Sequence, residues 1–189
     1  MAERIFLGLG SNLGDRRAYL ERALAKLTAT PGVQLVGRAS LYETEPLGFT
    51  RQPRFLNTVV ELSSRLGPRA LLQRCLEIEA RLGRVRGRRW GPRRIDLDLL
   101  FYGTRIIAEA DLQLPHPRLT QRRFVLVPLA ELAPQFWHPL AQQTIQELLD
   151  ALADDKGVMS YQEGNSDLRP LANQAGGDPR RQPVIRDLL

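Results

Sequence analysis

The hydrophobic residues of the chain alternate between the spacing of strands, every second residue, and the spacing of helices, every third or fourth residue. The order of these segments limits the fold more than any other feature. Runs typical of buried or half-buried strands lie at residues 4–9, 33–43, 55–63 and 95–102. Runs typical of amphipathic helices lie between the first and second strands and between the third and fourth. The resulting order, β-α-β-β-α-β, predicts an α+β fold with a ferredoxin-like antiparallel sheet and helices packed on one face.

Both predicted helices have recognisable ends. The first covers residues 16–29 and is followed by Pro31 and Gly32, which stop a helix. The second starts at Pro68, because proline is favoured at the first helical position, and it ends near Gly83. The buried side of this second helix is predicted to consist of Leu71, Cys75, Ile78 and Leu82.

The chain after the fourth strand is predicted to add two more helices. We expect a brief return strand at Ile106 and Ile107 and a helix at residues 144–153. Residues 123–133 are rich in strand-forming residues but also fit helical spacing, and we favour the helix.

The composition of the chain changes near its C-terminus. From about residue 157 polar residues, glycine and proline dominate, and no hydrophobic periodicity continues. A chain of 189 residues suits one domain with one substantial core. We therefore predict a single domain at residues 1–156 and a polar C-terminal extension at residues 157–189.

Several simple features of the sequence predict the cellular compartment of the protein. The N-terminal Met1-Ala2-Glu3-Arg4 leads directly into an apolar strand, so no secretory signal is expected. No apolar run approaches the roughly 18 residues of a membrane span. The single cysteine, Cys75, has no partner for an intramolecular disulfide. We expect a cytoplasmic monomer that binds neither membrane nor nucleic acid.

Arginine accounts for nearly all of the basic character of the chain. The formal net charge is +6, and the only lysines are Lys26 and Lys156. A short segment concentrates six arginines, namely Arg84, Arg86, Arg88, Arg89, Arg93 and Arg94. Arginine binds phosphate through two parallel hydrogen bonds, so the segment predicts a polyanionic partner. Its composition alone leaves nucleic acid and nucleotide as alternatives.

The sequence Asp96-Leu97-Asp98 lies directly after the arginines. Alternate residues of a strand point the same way, about 6.6 Å apart, so both carboxylates should share one face. The opposite, core-facing side is predicted to consist of Ile95, Leu97, Leu99 and Phe101. Two adjacent carboxylates are unfavourable unless cations lie between them, and oxygen ligands suit Mg²⁺. The alternatives are two solvated aspartates or simple ion pairs with Arg93 or Arg94.

The arginines and aspartates together favour a metal-bound nucleotide phosphate. Such a ligand satisfies both groups, whereas the aspartates would repel nucleic acid. The roles of two further residues remain open at this point. Glu79 is either a flank of its helix or a hydrogen-bond acceptor for a ligand. His116, between two prolines, is either structural or catalytic. The N-terminal glycines form no Walker-type loop, because no Gly-Lys-Ser/Thr follows them.

A set of motifs identifies a family resemblance over about residues 5–150. The motifs are LGLGSNLGDR at 7–16, LYETEPLG at 41–48, QPRFLN at 52–57, GRVR at 83–86, RWGPRRIDLDLL at 89–100 and LPHPRLTQRRFVLVPLAELAP at 114–134. With them, the chain resembles the 6-hydroxymethyl-7,8-dihydropterin pyrophosphokinases of folate biosynthesis. The resemblance implies that diphosphate moves from ATP to the hydroxymethyl group of a reduced pterin, with release of AMP and participation of two Mg²⁺ ions.

The resemblance also implies roles for individual residues. Asp96 and Asp98 would bind the metal ions and, with Arg84 and Arg93, form the catalytic set. The ATP-binding residues would be Glu79, Arg84, Arg86, Arg89, Trp90, Arg93, His116 and Arg122. The pterin-binding residues would be Thr44, Leu47, Phe55, Asn57, Trp90 and Phe124. The loops at residues 44–54 and 84–94 would act as lids that exclude water.

The sequence departs from the family pattern at two of these places. Phe55 stands where some relatives have tyrosine, which removes a hydroxyl but keeps an aromatic ring. Glu45 stands where some relatives have proline. Two other classes of function stay open, an RNA-binding ferredoxin-like module and a metal-dependent nucleotidyltransferase. No aromatic run of the kind found on RNA-binding strands supports the first, and detection of free AMP as a product distinguishes the second.

Overall fold

The computed structural model describes residues 3–46, 48–84, 91–153 and 157–162. The strands are β1 (Ile5–Ser11), β2 (Val33–Arg38), β3 (Tyr42–Thr44), β4 (Phe55–Ser64), β5 (Asp96–Tyr102), β6 (Ile107–Ala108), β7 (Gln113–Leu114), β8 (Trp137–His138), β9 (Gln143–Thr144) and β10 (Val158–Ser160). The helices are α1 (Arg16–Thr28), α2 (Pro68–Arg81), α3 (Arg123–Leu132) and α4 (Ile145–Ala151), with a 3-10 turn at Leu119–Gln121. Within the described ranges, no helix has the length and apolar character needed to cross a membrane.

The main sheet is antiparallel, as predicted. Strand β1 lies at its centre, between β4 on one side and β5 on the other. The far edge of β4 pairs with both β2 and β3. The chain therefore has an α+β fold, and its strand order is compatible with the ferredoxin-like pattern.

The single strand expected at residues 33–43 is in fact two strands. Along β2, Arg38 pairs with Val60, whereas along β3 Tyr42 pairs with Asn57. Three residues therefore lie between these pairs on the outer strand, but only two lie between them on β4. An extra residue bends a strand and interrupts its hydrogen bonds, so the prediction of one continuous strand was wrong.

Helices cover both faces of the sheet, whereas the sequence predicted one covered face. Side chains alternate along β1, so Ile5, Leu7 and Leu9 pack into the layer of α1 and α2. Phe6 instead packs into the layer of α3 and α4. The predicted buried side of α2 is confirmed, with Leu71, Cys75 and Ile78 at 0% exposure and Leu82 at 3%.

A β-bulge changes the direction of the side chains in the second half of β5. Phe101 pairs with Phe6 and Leu99 pairs with Leu7, which leaves Leu100 as an extra residue between the two pairs. Leu100 and Phe101 consequently both pack with α3 and α4, while Leu97 and Leu99 pack with α1 and α2. The prediction that Phe101 shares the face of Leu97 was therefore wrong. Before the bulge, alternation holds, and Asp96 and Asp98 share one face.

The ambiguous segment at residues 123–133 is helical. The buried residues of α3 are three or four positions apart, which places Val125, Leu126 and Leu129 against the sheet. Helix α4 begins with a capping box, in which Thr144 and Glu147 bond each other's backbone nitrogens. The predicted return strand is present as β6, which includes Ile107 but not Ile106 and pairs with β7.

The sheet continues into the predicted C-terminal extension. Strand β10 pairs antiparallel with β3, so that Val158 lies opposite Thr44. Beyond this pairing, the backbone nitrogen of Tyr161 donates to the oxygen of Leu41 at 2.8 Å. Composition gave no indication of this strand, because its exposed edge position needs little apolar surface. The remainder of the extension, residues 163–189, lies outside the described residues.

Candidate active site

An open cleft of about 700 Å³ lies between the sheet and the start of α3. Its lining residues are Gly8, Leu9, Gly10, Thr44, Glu45, Phe55, Asn57, Thr58, Val59, Arg93, Asp96, Asp98, Arg122, Phe124 and Val125. Eight of the residues predicted from the sequence thus line one space, namely Thr44, Phe55, Asn57, Arg93, Asp96, Asp98, Arg122 and Phe124. The roles assigned to them remain predictions.

Both aspartates project from β5 opposite glycines of β1. Asp96 pairs across the sheet with Gly10, and Asp98 pairs with Gly8. Neither glycine carries a side chain to fill the space beside its carboxylate. A Cβ atom at Gly10 would in addition lie 2.6 Å from Oδ1 of Asn57, which is closer than real Cβ contacts. The glycines therefore keep the floor of the cleft open between the carboxylates and Asn57.

Each aspartate has an arginine partner, so the two carboxylates do not face each other unneutralised. The carboxylate of Asp96 forms ion pairs with Nη1 of Arg93 at 2.5 Å and with Nη1 of Arg84 at 2.6 Å. The carboxylate of Asp98 forms an ion pair with Nη1 of Arg122 at 3.2 Å. The ion pair with Arg93, which the sequence left as an alternative, is therefore present. Arginine side chains therefore lie beside the carboxylates to which the sequence also assigned metal cations.

The protonation of Asp96 depends on opposing effects. Burial and the neighbouring Asp98 raise the pKa of Asp96, and Arg93 and Arg84 act in the opposite direction without cancelling the rise. Additional positive charge near the pair, from a metal ion or another cation, would favour the charged carboxylate. The side chain of Asp98 is 36% exposed, compared with 19% for Asp96, so Asp98 is the more open of the two.

Glu79 is buried, so it is not a partly exposed flank of α2. It is 3% exposed, and its Oε1 accepts a hydrogen bond from the backbone nitrogen of Leu97 at 2.7 Å. It also pairs with Arg84. Burial, opposed chiefly by Arg84, raises the pKa of Glu79 to about 7. Glu79 therefore anchors both the strand of the aspartates and one of their arginines, and its predicted contact with ATP remains a prediction.

His116 is held in one orientation by backbone hydrogen bonds. Its backbone nitrogen donates to the oxygen of Leu100 at 2.9 Å, and its Nδ1 accepts from the nitrogen of Arg118 at 3.2 Å. Burial, together with Arg122 and Arg118, lowers the pKa of His116 to about 4. The ring is therefore neutral at pH 7. Because Nδ1 is an acceptor, the proton lies on Nε2, which can donate to an anionic ligand.

The cleft also contains an amide and two aromatic rings. Nδ2 of Asn57 donates to Oγ1 of Thr44 at 2.7 Å, and both side chains are buried. The guanidinium carbon of Arg93 lies 5.9 Å from the ring centre of Phe55. The guanidinium carbon of Arg122 lies 5.6 Å from the ring centre of Phe124. The cleft therefore combines aromatic rings with fixed hydrogen-bonding groups, which suit a planar heterocycle.

Sequence reasoning did not single out Asn12, which follows β1 and is 1% exposed. Its side chain bonds both the backbone of Arg93 and the segment at Gln52 and Pro53. The sequence signal that could have identified Asn12 was a polar residue directly after an apolar strand. Four predicted site residues, Leu47, Arg86, Arg89 and Trp90, lie outside the described residues.

The match to a family model shows which family the chain belongs to. The model of the family described as 7,8-dihydro-6-hydroxymethylpterin-pyrophosphokinase (HPPK) matches residues 6–134. The chain belongs to the HPPK family. All of the residues that line the cleft fall within this match, whereas β10 lies beyond it.

Two bacterial relatives support the assignment over nearly their whole length, and a longer plant protein supports it over part of its length. The chain is 48% identical to the 2-amino-4-hydroxy-6-hydroxymethyldihydropteridine pyrophosphokinase of Methylorubrum extorquens, over 82% of this chain and 96% of the relative. It is 41% identical to the protein of the same name from Bacillus subtilis, over 84% of this chain and 90% of the relative. It is 46% identical to the mitochondrial folate synthesis bifunctional protein of Pisum sativum, over 69% of this chain and 25% of the relative.

Solved structures of HPPK-DHPS proteins share the fold. A crystal structure analysis of HPPK-DHPS in complex with substrates superposes with a TM-score of 0.64 at 13% identity, over 79% of this chain and 43% of that chain. The wild-type Plasmodium falciparum HPPK-DHPS with pterin and p-hydroxybenzoate gives a TM-score of 0.62 at 16% identity, over 79% and 42%. The present chain thus spans less than half the length of these solved chains, and at this identity the likeness concerns the fold alone.

Proposed function

We propose that this HPPK-family chain transfers diphosphate from ATP to the 6-hydroxymethyl group of 7,8-dihydropterin and releases AMP, a step of folate biosynthesis. The relatives that the chain matches over nearly their whole length are named as pyrophosphokinases of this pterin. The observation that carries the proposal is the composition of the cleft. The same cleft is lined by charged groups suited to a polyphosphate and by an amide and aromatic rings suited to a flat heterocycle.

The charged groups of the cleft support a role for metal ions. Three arginines, Arg84, Arg93 and Arg122, pair with three carboxylates, Asp96, Asp98 and Glu79. When all six are ionised their charges balance, so these described groups leave no net positive charge for a bound polyphosphate. Additional cations would therefore strengthen its binding.

Asp96 and Asp98 are the residues that would hold those cations. Within the described ranges, no three His, Cys, Asp or Glu side chains come together as a metal site. Two carboxylates on one strand face nevertheless fit Mg²⁺, which takes oxygen ligands and commonly completes its coordination with phosphate oxygens and water. We assign two Mg²⁺ ions to this region, and bound there they would supply positive charge to the phosphate groups.

The arginines would exchange partners when the nucleotide binds. In the absence of ligand, Arg84 and Arg93 bond Asp96, and Arg122 bonds Asp98. Phosphate oxygens offer guanidinium groups the same paired acceptor geometry as carboxylates. As the arginines turn to the phosphates, the carboxylates become available to cations. His116, neutral and with its proton on Nε2, would donate a further hydrogen bond to the nucleotide.

Asn57 and the two phenylalanines would position the pterin. The Thr44 hydroxyl holds one amide hydrogen of Asn57, so Oδ1 and the other amide hydrogen can pair with the edge of the ring. Phe55 and Phe124 would cover its faces. This placement would direct the hydroxymethyl group toward the aspartates, since Asn57 and both aspartates line the same cleft.

The reaction forms one bond and breaks one bond at the β-phosphorus of ATP. The pterin hydroxyl oxygen attacks this phosphorus, and the bond to the bridging oxygen of the α-phosphate breaks, so AMP leaves with the electron pair. Asp98, the more open aspartate, would accept the hydroxyl proton. Positioning of the two substrates and neutralisation of phosphate charge supply most of the rate enhancement in such transfers.

The assay that tests the proposal resolves the nucleotide products. The protein is incubated with ATP, Mg²⁺ and 6-hydroxymethyl-7,8-dihydropterin, and a parallel sample contains a pterin without the hydroxymethyl group. We expect AMP to appear in equal amount to diphosphorylated pterin, and only in the first sample. Formation of ADP would indicate transfer of a single phosphate, and formation of inorganic pyrophosphate would indicate nucleotidyl transfer.

We also propose that the protein acts in the cytoplasm as a monomer. The thiol of Cys75 is fully buried on α2, and burial raises its pKa to about 12, so it stays protonated and unreactive. A buried unpaired cysteine suits a reducing compartment. Cell fractionation and sedimentation of the purified protein test the two statements separately.

A further inference from the structure

The carboxylate of Glu131 accepts four hydrogen bonds, although it lies at the surface of the protein. The backbone nitrogen of Ser40 donates to both of its oxygens at 3.0 Å. The side-chain hydroxyl of Ser40 donates to Oε1 at 2.8 Å, and the hydroxyl of Tyr42 donates to Oε2 at 2.9 Å. These three residues, Ser40, Tyr42 and Glu131, form a clamp that joins α3 to the outer edge of the main sheet.

The clamp forms where the outer edge of the sheet is broken. Strand β2 ends at Arg38 and β3 begins at Tyr42, so Ser40 lies between the two strands. A backbone nitrogen in a continuous strand would bond to the neighbouring strand, whereas that of Ser40 bonds to Glu131. The break in the strand, which alternation in the sequence did not predict, thereby gives α3 a point of attachment.

Tyr42 lies beside the two buried polar residues that we assign to the pterin. Alternate residues of a strand project to the same side, so Tyr42 and Thr44 share one face of β3. Tyr42 also pairs across the sheet with Asn57, which donates to Thr44 at 2.7 Å. Side chains at paired positions of neighbouring strands are in contact range. Burial and the bond to Glu131 raise the pKa of Tyr42 to about 12, so its hydroxyl keeps the proton that it donates.

The clamp also holds the helix that carries Phe124. This residue lies in the first turn of α3, and Glu131 lies in the last turn, seven residues later. Seven residues of helix span about 10 Å, so the orientation of α3 at one end affects the position of the other. Phe55 belongs to β4, and the separation of the two aromatic rings therefore depends on how α3 lies on the sheet. Apolar packing is not directional, whereas the hydrogen bonds of the clamp favour one orientation.

We propose that Glu131 and Tyr42 are positioning residues for the pterin, and that they set the place of Phe124 relative to Thr44 and Asn57. This inference rests on the proposed function, because it takes the pterin as the ligand. Neither positioning residue is among those that line the cleft, so both act through residues that do.

The clamp should affect the pterin more than the nucleotide. Asp96 and Asp98 belong to β5, and Arg93 to the segment before it. None of these three residues lies on β3 or α3, the elements that the clamp joins. Removal of the clamp should therefore leave the groups assigned to the phosphates in place.

Steady-state kinetics of two variants test the proposal. Glu131→Ala removes all four hydrogen bonds, and Tyr42→Phe removes one of them while it keeps the ring. For Glu131→Ala we expect the KM for the hydroxymethyl pterin to rise at least about fivefold, with changes in kcat and in the KM for ATP below about twofold. For Tyr42→Phe we expect a rise of about twofold to threefold in the KM for the pterin. The double variant should match Glu131→Ala alone, because Tyr42 acts through Glu131.

The matched control is Glu21→Gln. Glu21 likewise joins a helix to the outer edge of the sheet, since it pairs with Arg38 of β2 at 2.8 Å. Its helix, α1, lies on the other face of the sheet and contributes no residue to the cleft lining. Both KM values of this control should equal those of the parent. Circular dichroism establishes folding, and if Glu131→Ala does not fold, Tyr42→Phe decides alone, because it removes a single hydroxyl.

Three results would overturn the inference. The first is a folded Glu131→Ala variant with the pterin KM of the parent. The second is an equal rise in the KM for both substrates, which is the result of a general loosening of the fold. The third is an additive effect in the double variant, because Tyr42 would then act independently of Glu131. Release of AMP by the parent would support the proposed function in each case, so failure of the clamp and failure of the function are distinguishable.

Discussion

Glu79 accepts a hydrogen bond from the backbone nitrogen of Leu97, and the carboxyl group thereby lies beside the strand that carries both aspartates. The contact joins α2 to β5 between Asp96 and Asp98. The backbone of the aspartate pair is therefore held at the edge of the sheet, where β5 is the outermost strand. A buried carboxyl group in this position makes the stability of the site dependent on its protonation.

Replacing Glu79 with glutamine should remove one pH-dependent contribution to stability. The pKa of Glu79 is about 7 in the folded chain, against a value of 4.5 without the fold. The folded chain thus retains a proton that the unfolded chain releases, so this contribution is fully present below pH 4.5 and is lost as pH rises toward 7. At about 1.4 kcal/mol per pKa unit, the loss amounts to a few kcal/mol. Urea denaturation between pH 4.5 and 7.5 compares the two proteins, and parallel curves would contradict the prediction.

Replacing His116 with glutamine should have the opposite effect on the pH profile. The pKa of His116 is about 4 in the folded chain, against 6.5 without the fold. As pH falls from 6.5 toward 4, the unfolded chain takes up a proton that the folded chain excludes, so the parent loses stability. The same denaturation series should show that this loss is absent in His116→Gln. A variant profile that still falls steeply toward acid would assign the effect to other groups.

Asparagine at Asp96 or Asp98 should separate metal binding from ion pairing. Asp96→Asn leaves Arg84 and Arg93 without a full counter-charge, so the ligand-free melting temperature should fall slightly. The fall should be limited, because burial already raises the pKa of the Asp96 carboxyl group. Each variant should lose most activity, and also the extra stabilisation that Mg²⁺ with an ATP analogue gives the parent. Melting curves with and without these ligands provide the measurement. A variant that melts earlier but keeps the full ligand-dependent gain would exclude the metal assignment.

Alanine at Asn57 should weaken pterin binding and leave nucleotide binding nearly unchanged. An unpaired polar group of a ligand in a closed pocket costs about 1–3 kcal/mol, or roughly tenfold to a hundredfold in affinity. Calorimetric titration with each ligand measures the effect. Thr44→Ser is the matched control, since it keeps the hydroxyl that accepts from Asn57 at 2.7 Å. Equal losses for both ligands would show that Asn57 supports the fold of the cleft instead.

Truncation should divide the C-terminal extension into two parts. A chain that ends after residue 162 keeps β10 and should retain a catalytic rate within a few-fold of the parent. A chain that ends after residue 153 loses the strand that pairs with β3, and Thr44 lies on β3 opposite Val158. This shorter chain should show a higher KM for the pterin with little change in the KM for ATP. Steady-state kinetics of both chains test the division, and equal kinetics would show that β10 does not support the pocket.

Local patterns predicted the parts of the fold that depend on local interactions. The spacing of Leu71, Cys75 and Ile78 was sufficient for the buried side of α2, because one helix face sets that pattern. The positions of Asp96 and Asp98 on one face likewise followed from strand alternation. The bulge at Leu100 could not be predicted in this way, since it arises from the register between β5 and β1. The second helical layer, β10 and the break between β2 and β3 also depend on pairing between distant segments.

The candidate site shows the same limit. The motif around Asp96 indicated a phosphate site, and the resemblance supplied the pterin residues that the structure brings into the same cleft. The burial of Glu79 and the contacts of Asn12 were not predicted, because both depend on how separate elements pack against each other. Asn12 contacts Gln52 and Arg93, which are 40 and 81 residues distant.

The paired arginines and carboxylates of the cleft also affect how strongly it attracts other anions in the cell. Opposite charges a few ångströms apart largely cancel at distances beyond the Debye length, about 8 Å at physiological ionic strength. The three described arginines and their carboxylates therefore add little long-range attraction for inorganic phosphate or for unchelated nucleotides. Protonation of Glu79 leaves one excess positive charge among these described groups, so their neutrality weakens as pH falls below about 7. An anion that arrives with its own cations meets carboxylates as well as arginines, so we expect these ion pairs to favour a chelated nucleotide over a free one.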